Sequence, residues 1–224
     1  MSERSHDVVV TSVTQMGVEI PDTPYALFVR GGLDDALHRP DDGSRVEVIG
    51  GEVIVSPAPK NSHRWIVQQI SNLFAQAQVL KPGFIWGVDQ GPNLDLVGIE
   101  EGYIPDLIVA EQELLDGEGQ TGNLCLVTDQ VEMAVEVTSR STGGNDRPPS
   151  DGRATKWTGF ARTEIPYYLL VDCDPKVAKV FLYSIPDGKA GVYLDKQEWK
   201  FGEDVVLPEP FDLVLSTERW TTWG

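Results

Sequence analysis

Two stretches rich in branched apolar residues, each carrying one carboxylate, limit the folds open to this chain. Residues 103–110 read Tyr103-Ile104-Pro105-Asp106-Leu107-Ile108-Val109-Ala110, and residues 131–139 read Val131-Glu132-Met133-Ala134-Val135-Glu136-Val137-Thr138-Ser139. Both have the composition of strands. Asp106 opens one apolar run and Glu136 lies deep inside the other, where a carboxylate is costly unless it holds a partner or a metal ion. Two plainer alternatives stand beside this: a Pro-Asp pair that only starts a strand or turn, and a glutamate that faces solvent on one side of a sheet.

Lys156 follows in a segment that reads as a helix over residues 153–163, with Ala154, Trp157, Phe160 and Ala161 on its apolar face. A lysine there either faces solvent or reaches a site at the strand ends. In the second case, two carboxylates and an ammonium around one point suit metal-assisted attack of water on a phosphodiester. The carboxylates bind a hard divalent cation through oxygen, and the lysine orients the nucleophile or steadies developing charge.

The rest of the chain supplies a scaffold of mixed type. Residues 24–38 predict a helix broken in two by Gly31-Gly32. Residues 46–49 and 52–55, joined by Gly50-Gly51, predict an antiparallel hairpin, because two glycines supply the positive φ angles of a tight two-residue turn. Glu47 and Glu52 flank that turn, with Glu52 the stronger functional candidate. After Ser56-Pro57-Ala58-Pro59 the spacing of Ile66, Ile70, Leu73, Phe74 and Ala77 predicts a helix, capped by Asn61 or Ser62, with His63 in its first turn as a surface or capping residue. Residues 84–88 and 94–97 read as strands, the latter pairing with the strand of Asp106, and Gln90 between them lies near the site in sequence. Residues 142–151 read as a flexible loop, with plain connection as its default role and a lid as the alternative. Beyond Pro166, residues 167–171 are a buried strand, followed by a meander through residues 177–195 and a last sheet segment at 207–215. Trp220 and Trp223 read as cover for an apolar patch or a partner surface.

Taken in this order, Ile104-Pro105-Asp106-Leu107-Ile108-Val109, Val135-Glu136-Val137-Thr138-Ser139-Arg140-Ser141-Thr142, Lys156 with Phe160, and Ile165-Pro166-Tyr167-Tyr168-Leu169-Leu170-Val171-Asp172 resemble the Uma-type family. Its members are bacterial proteins assigned as endonucleases within the restriction-endonuclease-like PD-(D/E)XK superfamily. Residues 46–57 and His63 fit the same family, so the resemblance runs from Tyr25 to Tyr183. It implies an α/β (α+β) domain, a mixed sheet flanked by helices, with an N-terminal hairpin and a C-terminal β-meander. It further implies Mg2+ or Mn2+ held by Asp106, Glu136 and the carbonyl of Val137, with Lys156 positioning or activating water. Glu52 would be a secondary acidic catalytic residue, and DNA the substrate. Three positions depart from the pattern: Thr138 stands where the superfamily usually has lysine, Arg140 where the family usually has proline, and Glu164 where it usually has glycine.

Size and charge frame these expectations. The chain has 224 residues, 41% of them hydrophobic, which suits an N-terminal arm over residues 1–23 and a single domain over 24–224. Cys125 and Cys173 do not make a disulfide framework, and no apolar run is long enough to span a bilayer, so a soluble cytoplasmic protein is expected. The net charge of -17 permits DNA binding only through a local basic face. Between residues 138 and 165, Arg140, Arg147, Arg153, Lys156 and Arg162 outnumber Asp146, Asp151 and Glu164, and Lys60, His63 and Arg64 extend that face. A solvated mixed surface is the alternative. The same acidity leaves room for a nuclease-like binding or assembly module without catalysis, or for a hydrolase of a non-nucleic substrate. The strands and tryptophans also make a homodimer an expectation.

Overall fold

The computed structural model describes residues 22–38 and 42–223. The expected arm falls outside them except for Asp22 and Thr23, and the Thr23 hydroxyl caps the first helix by accepting from Ala26 N at 3.1 Å. That helix, α1 (Pro24–Val29), is separated from α2 (Leu33–Ala36) by the glycine pair, as the pattern predicts. Strands β1 (Arg45–Ile49) and β2 (Glu52–Ser56) then form the hairpin, with Ile49 opposite Glu52 and φ of 61° and 77° at Gly50 and Gly51. Helix α3 (Asn61–Leu80) begins one residue earlier than a cap at Asn61 would allow. Asn61 instead accepts from the Arg64 guanidinium at 2.5 Å.

The middle of the chain builds β3 (Trp86–Asp89), β4 (Leu94–Leu96), β5 (Glu101–Tyr103), β6 (Leu107–Glu111), α4 (Gln112–Glu118), β7 (Leu126–Val127), β8 (Met133–Val137), α5 (Gly143–Asp146) and α6 (Lys156–Arg162). The last part contributes β9 (Tyr167–Asp172), β10 (Lys179–Asp187), β11 (Val192–Lys200), β12 (Asp204–Leu207) and β13 (Leu213–Ser216). Where one mixed sheet is expected, the strands divide into a six-stranded sheet of order β11-β10-β9-β8-β6-β3, a five-stranded sheet of order β2-β1-β5-β4-β7, and the separate hairpin β12-β13. Both large sheets are mixed, with β8 parallel to β9 and β4 parallel to β7.

Pro105 explains the division. The expected strand over residues 103–110 is two strands in different sheets, because proline offers no ladder donor and Ile104 N turns aside to the Glu47 carboxylate at 2.7 Å. Tyr103 ends β5, Leu107 starts β6, and Asp106 occupies the corner. For the same reason β4 pairs with β5 rather than with the strand after Asp106, whose neighbour on that edge is β3.

Strand alternation then sorts the side chains into two layers. Odd-numbered residues of β6, β8 and β9 (Leu107, Val109, Met133, Val135, Val137, Leu169, Val171) pack with Ile70 and Phe74 of α3 and with the β12-β13 hairpin. Even-numbered ones (Ile108, Ala110, Ala134, Tyr168, Leu170) pack with Leu94, Leu96 and Tyr103 of the second sheet and with Phe160 of α6. Phe160 meets Tyr103 edge-on at 5.4 Å and Tyr168 at 5.2 Å. Gly159 makes this approach possible, since a β-carbon there would overlap the Tyr103 hydroxyl. Asp106 and Glu136 share the even parity, so both belong to the layer between the two sheets.

Candidate active site

The register that opposes Leu107 to Val135 brings the start of β6 beside the end of β8. Asp106 and Glu136 therefore meet at one end of the six-stranded sheet, and the Asp106 Oδ2 accepts from Val137 N at 2.8 Å. On the opposite layer Glu47 shares a face of β1 with Ile49, which packs toward the six-stranded sheet. Thr155 caps α6 through Thr158 N at 3.4 Å and so sets Lys156 as the first helical residue. The Lys156 ammonium lies 2.6 Å from Glu47 and 2.8 Å from Glu136, joining the two sheets through one cation. A cation at a helix N-terminus opposes the helix dipole, and the two carboxylates offset that.

These groups form the floor of a cavity of about 340 Å³, whose walls come from the 56–59 turn, the first turn of α3, residues 138–146 and the C-terminal segment with Thr221 and Trp223. Asp106, Glu136, Lys156 and Glu47 line it together, at 4%, 2%, 5% and 2% exposure. Arg45 Nη1 reaches the second Asp106 oxygen at 2.7 Å. His63 Nε2 lies 2.9 Å from the same oxygen, at ion-pair distance but without the alignment of a hydrogen bond. Asp146 is the fourth buried carboxylate on the cavity, at 4% exposure.

The placement of Glu52 corrects the expectation for the early acidic residue. It follows the glycine turn, is exposed, and does not line the cavity. Glu47 occupies that place instead: the register puts both glutamates on one face of the hairpin, but β1 lies inside its sheet, where Glu47 is buried, and β2 is the exposed edge. Gln90 also lies elsewhere, donating to Ser71 Oγ at 2.7 Å. Arg45 and Asp146 are the residues that sequence reasoning left unassigned, and His63, expected as a surface or capping residue, instead lines the cavity beside Asp106. Arg45 sits next to the apolar run of β1, His63 one turn into α3, and Asp146 within the segment expected to be a flexible loop, which contains α5. No motif spacing marks Arg45 or Asp146, whereas His63 is among the residues that fit the family resemblance.

Burial raises a carboxyl pKa, but His63, Arg45 and Lys156 outweigh burial at Asp106 and hold it well below the ordinary range. Burial disfavours the charged Lys156, yet Glu136, Glu47, Asp146 and Asp106 overcome it and hold the ammonium protonated at any neutral pH. Burial pushes Glu136 up against the pull of Lys156, helped by the neighbouring acids. Asp146, buried and opposed chiefly by Lys156, is pushed up to about 7. Four carboxylates thus face two permanent cations, Lys156 and Arg45. That excess of hard oxygen donors has the chemistry of a site for a small divalent cation. Among the described residues no three His, Cys, Asp or Glu side chains are already gathered around one point.

The departures from the family pattern have local causes and effects. Thr138, in place of lysine, accepts from Cys173 N at 3.0 Å and donates to Asp172 Oδ1 at 3.3 Å, so it joins β8 to β9 while the lysine comes from α6. Glu164 ends α6 with φ of 58°, the left-handed conformation that favours glycine. Arg140 lies on the cavity wall with Lys60. Of the other basic residues expected to form a face, Arg147 pairs with Asp172 and Asp174, and exposed Arg153 pairs with Asp151 at 2.7 Å.

Comparison with known proteins agrees with this architecture. A crystal structure from Anabaena variabilis, described as "a putative nuclease belonging to DUF820", superposes with a TM-score of 0.55 at 19% identity, covering 80% of this chain and 89% of the other. That likeness is one of fold. No curated protein matches the chain, and among the described residues no helix is long and apolar enough to cross a membrane. A family model described as "Putative restriction endonuclease" matches residues 33–218, most of the chain. With the mixed sheets, the corner at Asp106 and the buried lysine all inside that match, the chain belongs to the Uma2 family.

Proposed function

We propose that the cavity is the active site of an endonuclease that hydrolyses DNA phosphodiester bonds with the help of Mg2+ or Mn2+, as a PD-(D/E)XK-type enzyme. The observation that carries this reading is the Lys156 ammonium held between Glu47 and Glu136 beside Asp106, in a buried set where acids outnumber permanent cations. Asp106, Glu136 and the Val137 carbonyl would hold the cation, which supplies Lewis-acid stabilisation of charge on the phosphate. Lys156 orients the attacking water and steadies the developing charge. Its raised pKa supports positioning over proton abstraction, because an ammonium that stays protonated is no base. Arg45 and the Val137 amide fix the Asp106 carboxylate with His63 beside it, and Lys60 and Arg140 line the walls where flanking phosphates would lie.

Plasmid nicking in Mn2+ or Mg2+ tests this directly. Wild type cleaves and Asp106→Ala does not, while equal activity in both removes the site from the reaction.

A second reading, a nuclease-like binding or assembly module, is favoured by one specific observation. Asp106 and Glu136 already have cationic partners of the protein's own, and Arg147 and Arg153 are committed to acids rather than presented to a polyanion. Calorimetry with Mn2+ separates the two, since the module requires no binding that depends on Glu136.

A further inference from the structure

The two carboxylates assigned to the cation leave a third acid of the same cavity without a role. Asp146 is the last residue of α5, 4% exposed, and it lines the cavity with Glu47, Asp106, Glu136 and Lys156. Among the described residues no hydrogen bond or ion pair reaches its carboxylate. The carboxylate opens onto the cavity rather than onto packed protein, where an uncompensated charge is costly. The chain fixes it from both sides. Its own carbonyl accepts from the Tyr168 hydroxyl of β9 at 2.8 Å. The next residue, Arg147, forks onto Asp172 through two bonds of 2.7 Å and reaches Asp174 at 3.3 Å. Asp172 is buried in turn and is tied to Thr138 at the end of the Glu136 strand. The backbone is thus anchored before and after the side chain, and the side chain alone is left facing the cavity.

We infer that Asp146 is a third acidic group of the cation centre, contributing to the binding of Mg2+ or Mn2+, with Arg147 as its positioning residue. This rests on the reading of Asp106 and Glu136 as the cation's ligands. Because no three such side chains converge on one point, Asp146 acts by charge and through intervening solvent, which suits an ion that keeps several of its waters. Carboxylates in such outer positions typically change metal affinity about 10–100-fold.

The test is calorimetric titration of Mn2+ into full-length wild type, Asp106→Asn, Asp146→Asn, Asp146→Glu, Arg147→Gln and the double variant Asp146→Asn/Arg147→Gln, each checked for folding by circular dichroism. The isosteric Asp146→Asn removes charge without removing volume. The expected result is loss of binding in Asp106→Asn, weakening by roughly tenfold or more in Asp146→Asn, partial recovery in Asp146→Glu, and a loss in Arg147→Gln that does not add to that of Asp146→Asn. Wild-type affinity in a folded Asp146→Asn overturns the inference, and loss in Asp106→Asn in the same series leaves the underlying reading standing. Wild-type affinity in Asp106→Asn overturns the underlying reading, and a wild type that binds no Mn2+ overturns both.

Discussion

Replacing Lys156 by methionine keeps an unbranched side chain, one heavy atom shorter, and removes the one cation that serves both Glu47 and Glu136. The lysine side chain is 6% exposed and each glutamate side chain 3%, so solvent cannot take over its role. Removing one partner of a buried ion pair costs about 3–5 kcal/mol, because the remaining charge stays desolvated and unpaired. Two carboxylates lose their partner here, which places the expected loss at the upper end of that range. The sign with pH follows from the direction of the shifts. The lysine's pKa is raised on folding, so its contribution is complete below the unfolded value near 10 and is lost only at more alkaline pH. At pH 7 wild type has all of it. In the variant Glu136, already raised by burial, loses the pull of Lys156 and rises further, so the variant regains stability as the pH falls from 7 toward 4 and this acid takes up its proton. Urea unfolding of wild type, Lys156→Met, Glu136→Gln and the double variant at pH 5 and pH 7 gives both the loss and the coupling energy. A single variant within about 1 kcal/mol of wild type at pH 7, with the same pH dependence, would refute the claim that this ion pair is buried and shared; the range expected for a surface pair is that small.

Three further outcomes follow from the same geometry. Glu47→Gln lowers stability and changes any activity of the cavity, whereas exposed Glu52→Gln shifts stability by no more than about 0.5 kcal/mol; thermal unfolding of the pair checks this, and equal effects would contradict the burial of Glu47. Asp146, with its carboxyl pushed up to about 7, binds a proton in the folded chain that the unfolded chain has released, so stability falls as pH rises between about 4 and 7. Asp146→Asn removes that contribution, and unfolding curves for variant and wild type that stay parallel across this window would count against it. Glu164→Gly relieves a non-glycine residue at φ of 58° and stabilises by about 1 kcal/mol, measured as a rise in unfolding midpoint.

How far the sequence was legible differs from element to element. The β1-β2 hairpin and α3 were readable because their signals are local: a glycine pair with positive φ in one case, an apolar stripe at helical spacing in the other. Asp106, Glu136 and Lys156 were legible as a set because each stands out against its own strand or helix, and they do line one cavity. Glu47 was misjudged against Glu52 since both lie close to the same turn and on the same face of the hairpin, and only the strand order, with β1 inside the sheet and β2 at its edge, decides which one is buried. The split of residues 103–110 between two sheets hung on whether Pro105 starts a strand or ends one, which depends on the partner of Ile104 N. Arg45 and Asp146 were hidden for a different reason. Their significance comes from long-range neighbours, sixty-one residues away in the contact between Arg45 and Asp106, and no pattern of spacing encodes that. The composition of residues 142–151 pointed to a loop, while Tyr168 and Asp172 hold it in place through contacts that composition does not reveal.

The ammonium at position 156 grips one acid from each sheet, as a rivet through two plates. Any cation or phosphate that draws Glu136 toward itself slackens one side of that grip and leaves Glu47 as the remaining hold. The expected consequence is a linkage between occupancy of the cavity and the spacing of the plates, in which a substitution that shifts the plates alters affinity without touching the ligand. Distance labels on β1 and β9 would report filling of the cavity from outside it.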